Sequence, residues 1–410
     1  MRTLEEVGSH SADRTSVDAQ WTRPKGLPKG SPSVHLDVLR GFAAFSVLLA
    51  HWRDAFFVDY GAVPHHNPVL AAAYVVSGLG HQWVVVFFVM SGYLVGGSVL
   101  RAVDGNRWSW RSYLLARLTR LYIVLLPALL LGGAIDWAGM HMKGTQAIYN
   151  GQSGMHALPM NVYATLTLPA FLGNCLFLQT ISLPGMHGRI VPLFGSNGPL
   201  WSLANEFWYY MAFPLLVLLF AKSRTFKSRA FCGLGLLILG WFVGPKIALL
   251  GIPWLMGVLI TILPSLPAGQ PWRRRLAVVS ALGILAAGLA LGKARDTLPS
   301  NLVLGVAVTI LIWVTLNCAT SPLSPLYVRA AHRAARSSYT LYLVHLPMLI
   351  FLKATLGLPR AIPSWHGCVL AMGVLVIILI YAQIVFELFE KNTDRIRDSI
   401  KPYLSGREAA

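Results

Sequence analysis

Long apolar runs recur along this chain, separated by short polar connections that carry most of its charge. Each run is close to the roughly twenty residues that an α-helix needs to cross a bilayer. The pattern therefore predicts an all-α polytopic membrane helix bundle with about ten transmembrane helices. The predicted spans are 34–56, 80–100, 114–135, 198–220, 229–244, 247–265, 276–292, 300–319, 337–357 and 366–389.

A further apolar segment, 158–179, is interrupted by Pro159 and Pro169. Loop charge bears on this segment, because Lys and Arg concentrate on the cytoplasmic side of membrane proteins. If 158–179 crossed the bilayer, the basic loop 221–230 and everything after it would fall outside. We therefore expect 158–179 to be re-entrant or interfacial and both termini to be cytoplasmic. The basic segments are 1–33, 101–120, 221–230, 267–275, 320–336 and the residues after 388.

Composition supports a membrane protein and excludes other classes. Hydrophobic residues make up 55% of the chain and charged residues 12%, which excludes a disordered or ordinary soluble protein. The formal net charge of +18 is explained by basic loops on one side of a membrane, so no nucleic-acid partner is expected. We expect a flexible cytoplasmic tail at 1–33, an integral membrane domain at 34–390 and a second cytoplasmic tail at 391–410.

Neither a cleaved leader nor a cysteine-based site is expected. The first apolar run follows a long polar tail and carries Arg40, so it predicts an anchor that is retained. The cysteines are scattered without a CxxC pair, which argues against a metal site and a disulfide framework. They are Cys175, Cys232, Cys318 and Cys368.

Arg40 and His51 lie in the first predicted span, where a cation and an imidazole are costly and indicate a functional site. Their spacing brings both side chains to one helix face, about 16 Å apart along the axis. That face offers an anion-binding group towards the cytoplasm and an acid–base group towards the outer surface. Asp37 is expected to pair with Arg40, either to neutralise it or to serve the site.

Five further polar side chains are placed by the predicted topology. Arg117 and Arg120 stand one turn apart at the cytoplasmic end of the third span, where they either set the topology or bind phosphate groups. Glu206 in the fourth span and His345 in the ninth reach mid-depth. Ser91 in the second span either packs closely or lends its hydroxyl to a polar pocket.

Five stretches of the chain resemble the membrane-bound acyltransferase-3 family, which O-acylates sugars and polysaccharides in bacteria, and they occur in the same order as in that family. They cover most of residues 34–390, although Ile123 stands where the family usually has proline. The stretches are 36–51, 87–93, 117–122, 201–210 and 338–347.

The resemblance implies acetyl-CoA or a related acyl-CoA as the donor, with no permanently bound cofactor. It also implies transfer to a hydroxyl of a sugar, polysaccharide or glycolipid across the bacterial cytoplasmic membrane. Arg117, Arg120 and Arg40 would hold the CoA phosphates, and His51 would be the general base on an acceptor hydroxyl or a transient nucleophile. Either Glu206 or His345 would orient His51 or stabilise charge, and the sequence leaves open which of the two is its partner. The catalytic candidates are His51, Glu206 and His345, and the substrate-binding candidates are Arg40, Arg117, Arg120, Ser91, Asp37 and Tyr342.

The expected partners are acyl-CoA, a carbohydrate or glycolipid acceptor and membrane lipids. No fused hydrolase-like domain follows the tenth predicted span, so the resemblance implies direct transfer to the acceptor or to a separate periplasmic partner protein. Two other classes stay open: a proton-coupled transporter that uses the deep ionisable residues as a relay, and a scaffold or receptor. A relay needs no phosphate-binding pair, so Arg117 and Arg120 favour the enzyme.

Overall fold

Helices built from the apolar runs form most of the regular structure. The computed structural model describes residues 31–404 except 153, 159, 184, 186, 187, 223, 267–269, 296 and 319–322. Over that part of the chain the fold is an all-α membrane helix bundle without strands, as the pattern predicts. Nine of the described helices are long and apolar enough to cross a bilayer. The predicted tail 1–33 lies outside the described residues as far as residue 30.

The helices differ in length between long spans and short connecting pieces. A π-helix, Gly92–Gly96, joins α3 to α4 within one span. In chain order the α-helices are α1 Ser31–Phe56, α2 Pro68–Val76, α3 Gly80–Ser91, α4 Gly97–Asp104, α5 Trp110–His141, α6 Gln146–Tyr149, α7 Val162–Thr165, α8 Leu168–Cys175, α9 Leu200–Phe220, α10 Phe226–Leu250, α11 Ile252–Leu259, α12 Pro271–Ala294, α13 Leu298–Cys318, α14 Pro325–Arg336, α15 Ser338–Leu356, α16 Trp365–Leu388 and α17 Thr393–Leu404.

One end of the bundle, which we call the basic end, holds both ends of the described chain. Near the start of α1, His332 of α14 is hydrogen-bonded to Asp37 at 2.8 Å. Just after α16, Glu390 lies 3.0 Å from Arg120 of α5. The predicted C-terminal tail therefore begins here, and its residues form α17, which packs beside α5.

The opposite end, which we call the loop end, is covered by the described residues of the segment 142–199. Helices α7 and α8 within it are four and eight residues long, too short to cross a bilayer, so 158–179 does not form a span. Asp136 near the end of α5 accepts hydrogen bonds from the backbone and hydroxyl of Ser196, both at 2.7 Å. Asn197 then donates to a backbone carbonyl of α15 at 2.8 Å. The segment thus leaves and returns at the same end.

The structure differs from the sequence prediction at 229–244 and 247–265, which were expected to be two continuous spans. Helix α10 runs through Gly244, whose φ of 77° and ψ of 168° are not helical, and Pro245 follows. Glycine reaches this φ without steric penalty, and proline cannot donate the next helical hydrogen bond. Beyond Gly244 the chain forms two short helical pieces, and the second of them is α11. The prediction of one continuous span over 247–265 is therefore wrong.

Glycines bring α11 into direct contact with the middle of the second span. A Cβ added to Gly92 would overlap the backbone oxygen of Trp254, and one added to Gly257 would overlap that of Val89. Only glycine permits this backbone approach. The contact includes the start of the π-helix, a distortion that is frequent at functional sites. It holds the Trp254 indole 3.1 Å from the Ser91 hydroxyl.

Gly92→Ala should destabilise the bundle, because a backbone carbonyl cannot rotate away from the added methyl group. Overpacking costs about 1–3 kcal/mol, and we expect the upper part of that range. Gly240→Ala in α10 is the matched control, since nothing lies within 4 Å of its added Cβ. Thermal unfolding of the detergent-purified variants measures the effect. Equal unfolding midpoints for the two variants would contradict the close contact.

Candidate functional site

Two histidines from distant parts of the chain meet inside the bundle. His51 lies towards the loop end of α1, and His345 of α15 is fully buried. His51 Nδ1 lies 2.8 Å from His345 Nε2, and the two rings stack with centroids 5.1 Å apart. The sequence left the partner of His51 open between Glu206 and His345. The structure brings His345 to it.

The neighbour of His345 assigns the protons on both rings. His345 Nδ1 lies 2.9 Å from the carbonyl oxygen of Leu341, which can only accept, so Nδ1 carries the proton. Neutral His345 then accepts at Nε2, and His51 donates to it from Nδ1. The Nε2 atom of neutral His51 is therefore unprotonated. This arrangement makes His51 the candidate base and His345 a positioning residue.

A cavity of about 310 Å³ lies beside His51 at the loop end, within the size range of small-molecule sites. Its wall combines α1, α3, α9 and α15 with the loop 142–199. Asp54 fixes part of that loop by accepting a hydrogen bond from the backbone of Ala157 at 2.8 Å. The polar and aromatic side chains in the wall include His51, His81, His156, Arg189, Trp201 and Tyr342.

Tyr342 forms part of the cavity wall, and Ser202, which the sequence analysis did not single out, fixes its hydroxyl. The two oxygens are 2.7 Å apart, and Ser202 in turn donates to the carbonyl of Pro199 at 3.2 Å. Tyr342 is therefore the donor to Ser202. The Tyr342 ring lies 6.2 Å from the ring of His345. Tyr342 thus joins the histidine pair and the cavity in one site.

Glu206 ends a directed chain of hydrogen bonds at mid-depth. The Trp254 indole donates to Ser91 at 3.1 Å, the Ser91 and Tyr210 hydroxyls are 3.1 Å apart, and Tyr210 donates to Glu206 at 2.6 Å. Because the proton of Tyr210 goes to Glu206, Ser91 donates to Tyr210. Ser91 therefore belongs to a polar cluster with Glu206. This cluster does not include His51, whose hydrogen-bond partner is His345.

The candidate arginines gather at the basic end. Arg40 lies 3.7 Å from Asp37, as the sequence predicts. The positive charges of Arg40 and Arg120 are close enough to interact electrostatically. Arg117 and Arg120 both interact electrostatically with Glu206. In the described structure the Nε atoms of Arg40 and Arg117 are buried without a hydrogen-bond partner. Buried donors in proteins are normally hydrogen-bonded, so we expect a ligand or a water molecule to accept from these two atoms.

Glu390 is a buried carboxylate that the sequence analysis did not single out. Thr340 donates to it from its backbone N at 3.1 Å and from its hydroxyl at 2.6 Å. Arg120 lies 3.0 Å from its other oxygen and over the ring of Tyr339. The positive charge of Arg120 is therefore already paired with the carboxylate of Glu390. Its only sequence signal was a single acid directly after the last span.

Asp54, Asp59 and His156 at the loop end each place a ligand atom within 4.8 Å of the others, as a metal site would require. Arg360 reaches both carboxylates, at 3.4 and 3.1 Å, and His156 lies 3.2 Å from Asp59. Partial burial alone would raise the pKa of Asp59, but the hydrogen bond with His156 and the charge of Arg360 lower it below its ordinary value. We assign the cluster to ion pairing.

Glu390→Gln should lower the free energy of unfolding by about 1–3 kcal/mol, because it removes a charge-assisted contact that is buried on one side only. The Glu390 side chain is 2% exposed, whereas that of Arg120 is 42% exposed. Glu387→Gln, which breaks an exposed pair with Lys391, is the control and should change stability little. Denaturation in detergent compares the two. A Glu390→Gln protein as stable as the control would refute the structural role.

Comparisons with known proteins bear on what this site does. Residues 34–383 match the profile of the Acyl_transf_3 family, described as an acyltransferase domain. An uncharacterised protein of Haemophilus influenzae is 29% identical over 146 residues, which is 35% of this chain and 51% of that protein. The match therefore spans about half the length of that relative. No solved structure matches the chain. The family match favours the enzyme over the transporter and scaffold alternatives.

Proposed function

We propose, from the premise that the chain belongs to the acyltransferase-3 family and is a membrane acyltransferase, that it is an acyl-CoA-dependent O-acyltransferase. Acetyl-CoA is the first candidate donor, and a hydroxyl of a sugar, polysaccharide or glycolipid is the acceptor. The observation that carries the proposal is the His51–His345 pair, which leaves an unprotonated nitrogen beside a cavity at the loop end.

The basic end supports binding of the donor. Phosphate groups bind well to arginine because its planar fork of donors matches their oxygens. Arg40 and Arg117 have buried donors without partners in the described structure, so they are our first candidates for holding the CoA phosphates. Arg120 contributes charge to the same region, although Glu390 already pairs with it. This division of roles refines the sequence prediction, which gave Arg117 and Arg120 equal parts.

The chemistry we propose is direct attack by the acceptor oxygen on the thioester carbonyl. His51 Nε2 takes the proton of the acceptor hydroxyl while the new acyl–oxygen bond forms and the acyl–sulfur bond breaks. The proton then passes to the CoA thiolate that leaves. In the described residues no serine, threonine or cysteine is hydrogen-bonded to His51, which supports direct attack over a transient protein nucleophile.

The remaining candidates support this reaction in different ways. His345 holds His51 in the tautomer that can accept a proton, and Tyr342 offers a hydroxyl in the cavity wall. Arg117 and Arg120 act electrostatically on Glu206, so we place the Glu206 cluster on the passage that a long donor molecule would take from these arginines towards His51. We assign Glu206 and Ser91 to lining that passage, with Trp254 and Tyr210 fixing their orientation.

The protein is a multi-pass membrane protein, and the orientation is part of the proposal. The positive-inside rule places the basic end in the cytoplasm, where acyl-CoA is made, and the loop end outside. For a bacterial cytoplasmic membrane the acceptor would then be periplasmic. Either the acceptor itself or a separate periplasmic carrier protein would receive the acyl group.

His51→Gln should lower turnover by about 10²–10⁴-fold, the usual contribution of a general base. Glutamine keeps the size and the hydrogen bonding of histidine but cannot take the proton. Binding of acyl-CoA should be nearly unchanged, because Arg40 lies about 16 Å away along the same helix. Purified protein with labelled acetyl-CoA and a saccharide acceptor measures turnover, and equilibrium dialysis measures binding.

His366→Gln is the matched control, since that histidine is exposed at the start of α16. It should retain full activity. His345→Ala should fall between the two, because it frees His51 to adopt either tautomer without removing the base. Near-normal transfer by His51→Gln would exclude His51 as the base.

A further inference from the structure

The cavity beside His51 has a strongly one-sided charge. Among the described residues of its wall, Arg189 is a cation, three histidines add further nitrogen atoms, and no aspartate or glutamate is present. A cavity whose polar groups are all cationic or neutral favours an anionic ligand over a neutral one.

The acidic residues near the cavity are matched by other groups. Asp59 lies 3.7 Å from Arg53, 3.1 Å from Arg360 and 3.2 Å from His156. Asp54 is buried, faces Arg360 at 3.4 Å and accepts from a loop backbone amide. Because Asp54 and Asp59 are already paired with these other groups, neither of them neutralises the charge of Arg189.

Arg189 itself is placed for a ligand. It lies on the loop 142–199, its side chain is exposed, and it lines the cavity together with His51. No described acidic residue lies within 4 Å of its guanidinium. A guanidinium in this position can form two parallel hydrogen bonds with a carboxylate or phosphate.

An aromatic wall completes the cavity. Trp201 lines it and stacks on His81 with ring centroids 5.8 Å apart and 13° between planes. The held indole offers a flat apolar surface, while Arg189 offers charge. A sugar ring that carries an anionic substituent has both complementary features.

We infer that the acceptor is an anionic saccharide, bound through a carboxylate or phosphate to Arg189 while one of its hydroxyls faces His51. The inference rests on the proposed function for the identity of the cavity as the acceptor site. It adds the charge of the substrate and names Arg189 as a specificity-determining residue.

The test measures saccharide binding without any donor. Full-length protein in nanodiscs is titrated with methyl β-glucoside, methyl β-glucuronide and methyl glucoside 6-phosphate, and affinities are read from saturation-transfer NMR. The three probes share a ring and differ only at carbon 6. At least one anionic probe should bind about tenfold more tightly than the neutral one, and the better of the two identifies carboxylate or phosphate as the group recognised.

Two variants make the result specific. Arg189→Gln should remove the preference, whereas Lys143→Gln, an exposed residue at the same end that does not line the cavity, should keep it. Equal affinities for the three probes, no binding of any of them, or a preference that survives Arg189→Gln would overturn the inference. Acyl transfer is assayed separately. Anion preference without transfer would refute the proposed function alone, and transfer without preference would refute the inference alone.

Discussion

The hydrogen bond between His51 and His345 is the contact on which the site depends. Inside an apolar bundle a polar ring needs a partner, because an unpaired polar group at membrane depth costs several kcal/mol. Each ring here has one, and the chain of donors ends on the carbonyl of Leu341. Satisfying these groups also leaves Nε2 of His51, a residue of the cavity wall, without a proton. A structural requirement of the bilayer thus leaves one nitrogen of His51 able to accept a proton.

The same requirement explains how polar groups are distributed between the two ends. Towards the basic end, buried carboxylates are held by neutral donors or by arginine, as Glu206 is by Tyr210 and Glu390 is by Thr340 and Arg120. Towards the loop end, Asp136 holds the covering loop in place. Between them the glycine contact around Gly92 brings Trp254 to Ser91. Polar groups therefore occur from one end of the bundle to the other, as transfer across it would require.

Much of this could be predicted from the sequence, and the failures have physical causes. Helical periodicity placed Arg40 and His51 on one face, and loop charge showed that 158–179 does not span. Contacts between distant spans were beyond reach: periodicity cannot tell which histidine or carboxylate meets His51, since partners lie almost three hundred residues apart. Arg189 lies in a loop without a periodic pattern, so its place beside the cavity was not foreseen. The break at Gly244 was missed because apolar length alone does not register a left-handed φ.

The central claim is that donor and acceptor reach one site from opposite ends. Sided proteoliposomes test it most directly, with orientation established by labelling a cysteine introduced at Arg107 on the basic end. Acyl-CoA is supplied on one side and a membrane-impermeant saccharide on the other. The account predicts acylated saccharide only when acyl-CoA is on the side of the basic end and the acceptor is on the side of the loop end. Product formed with both substrates confined to the same side would contradict it.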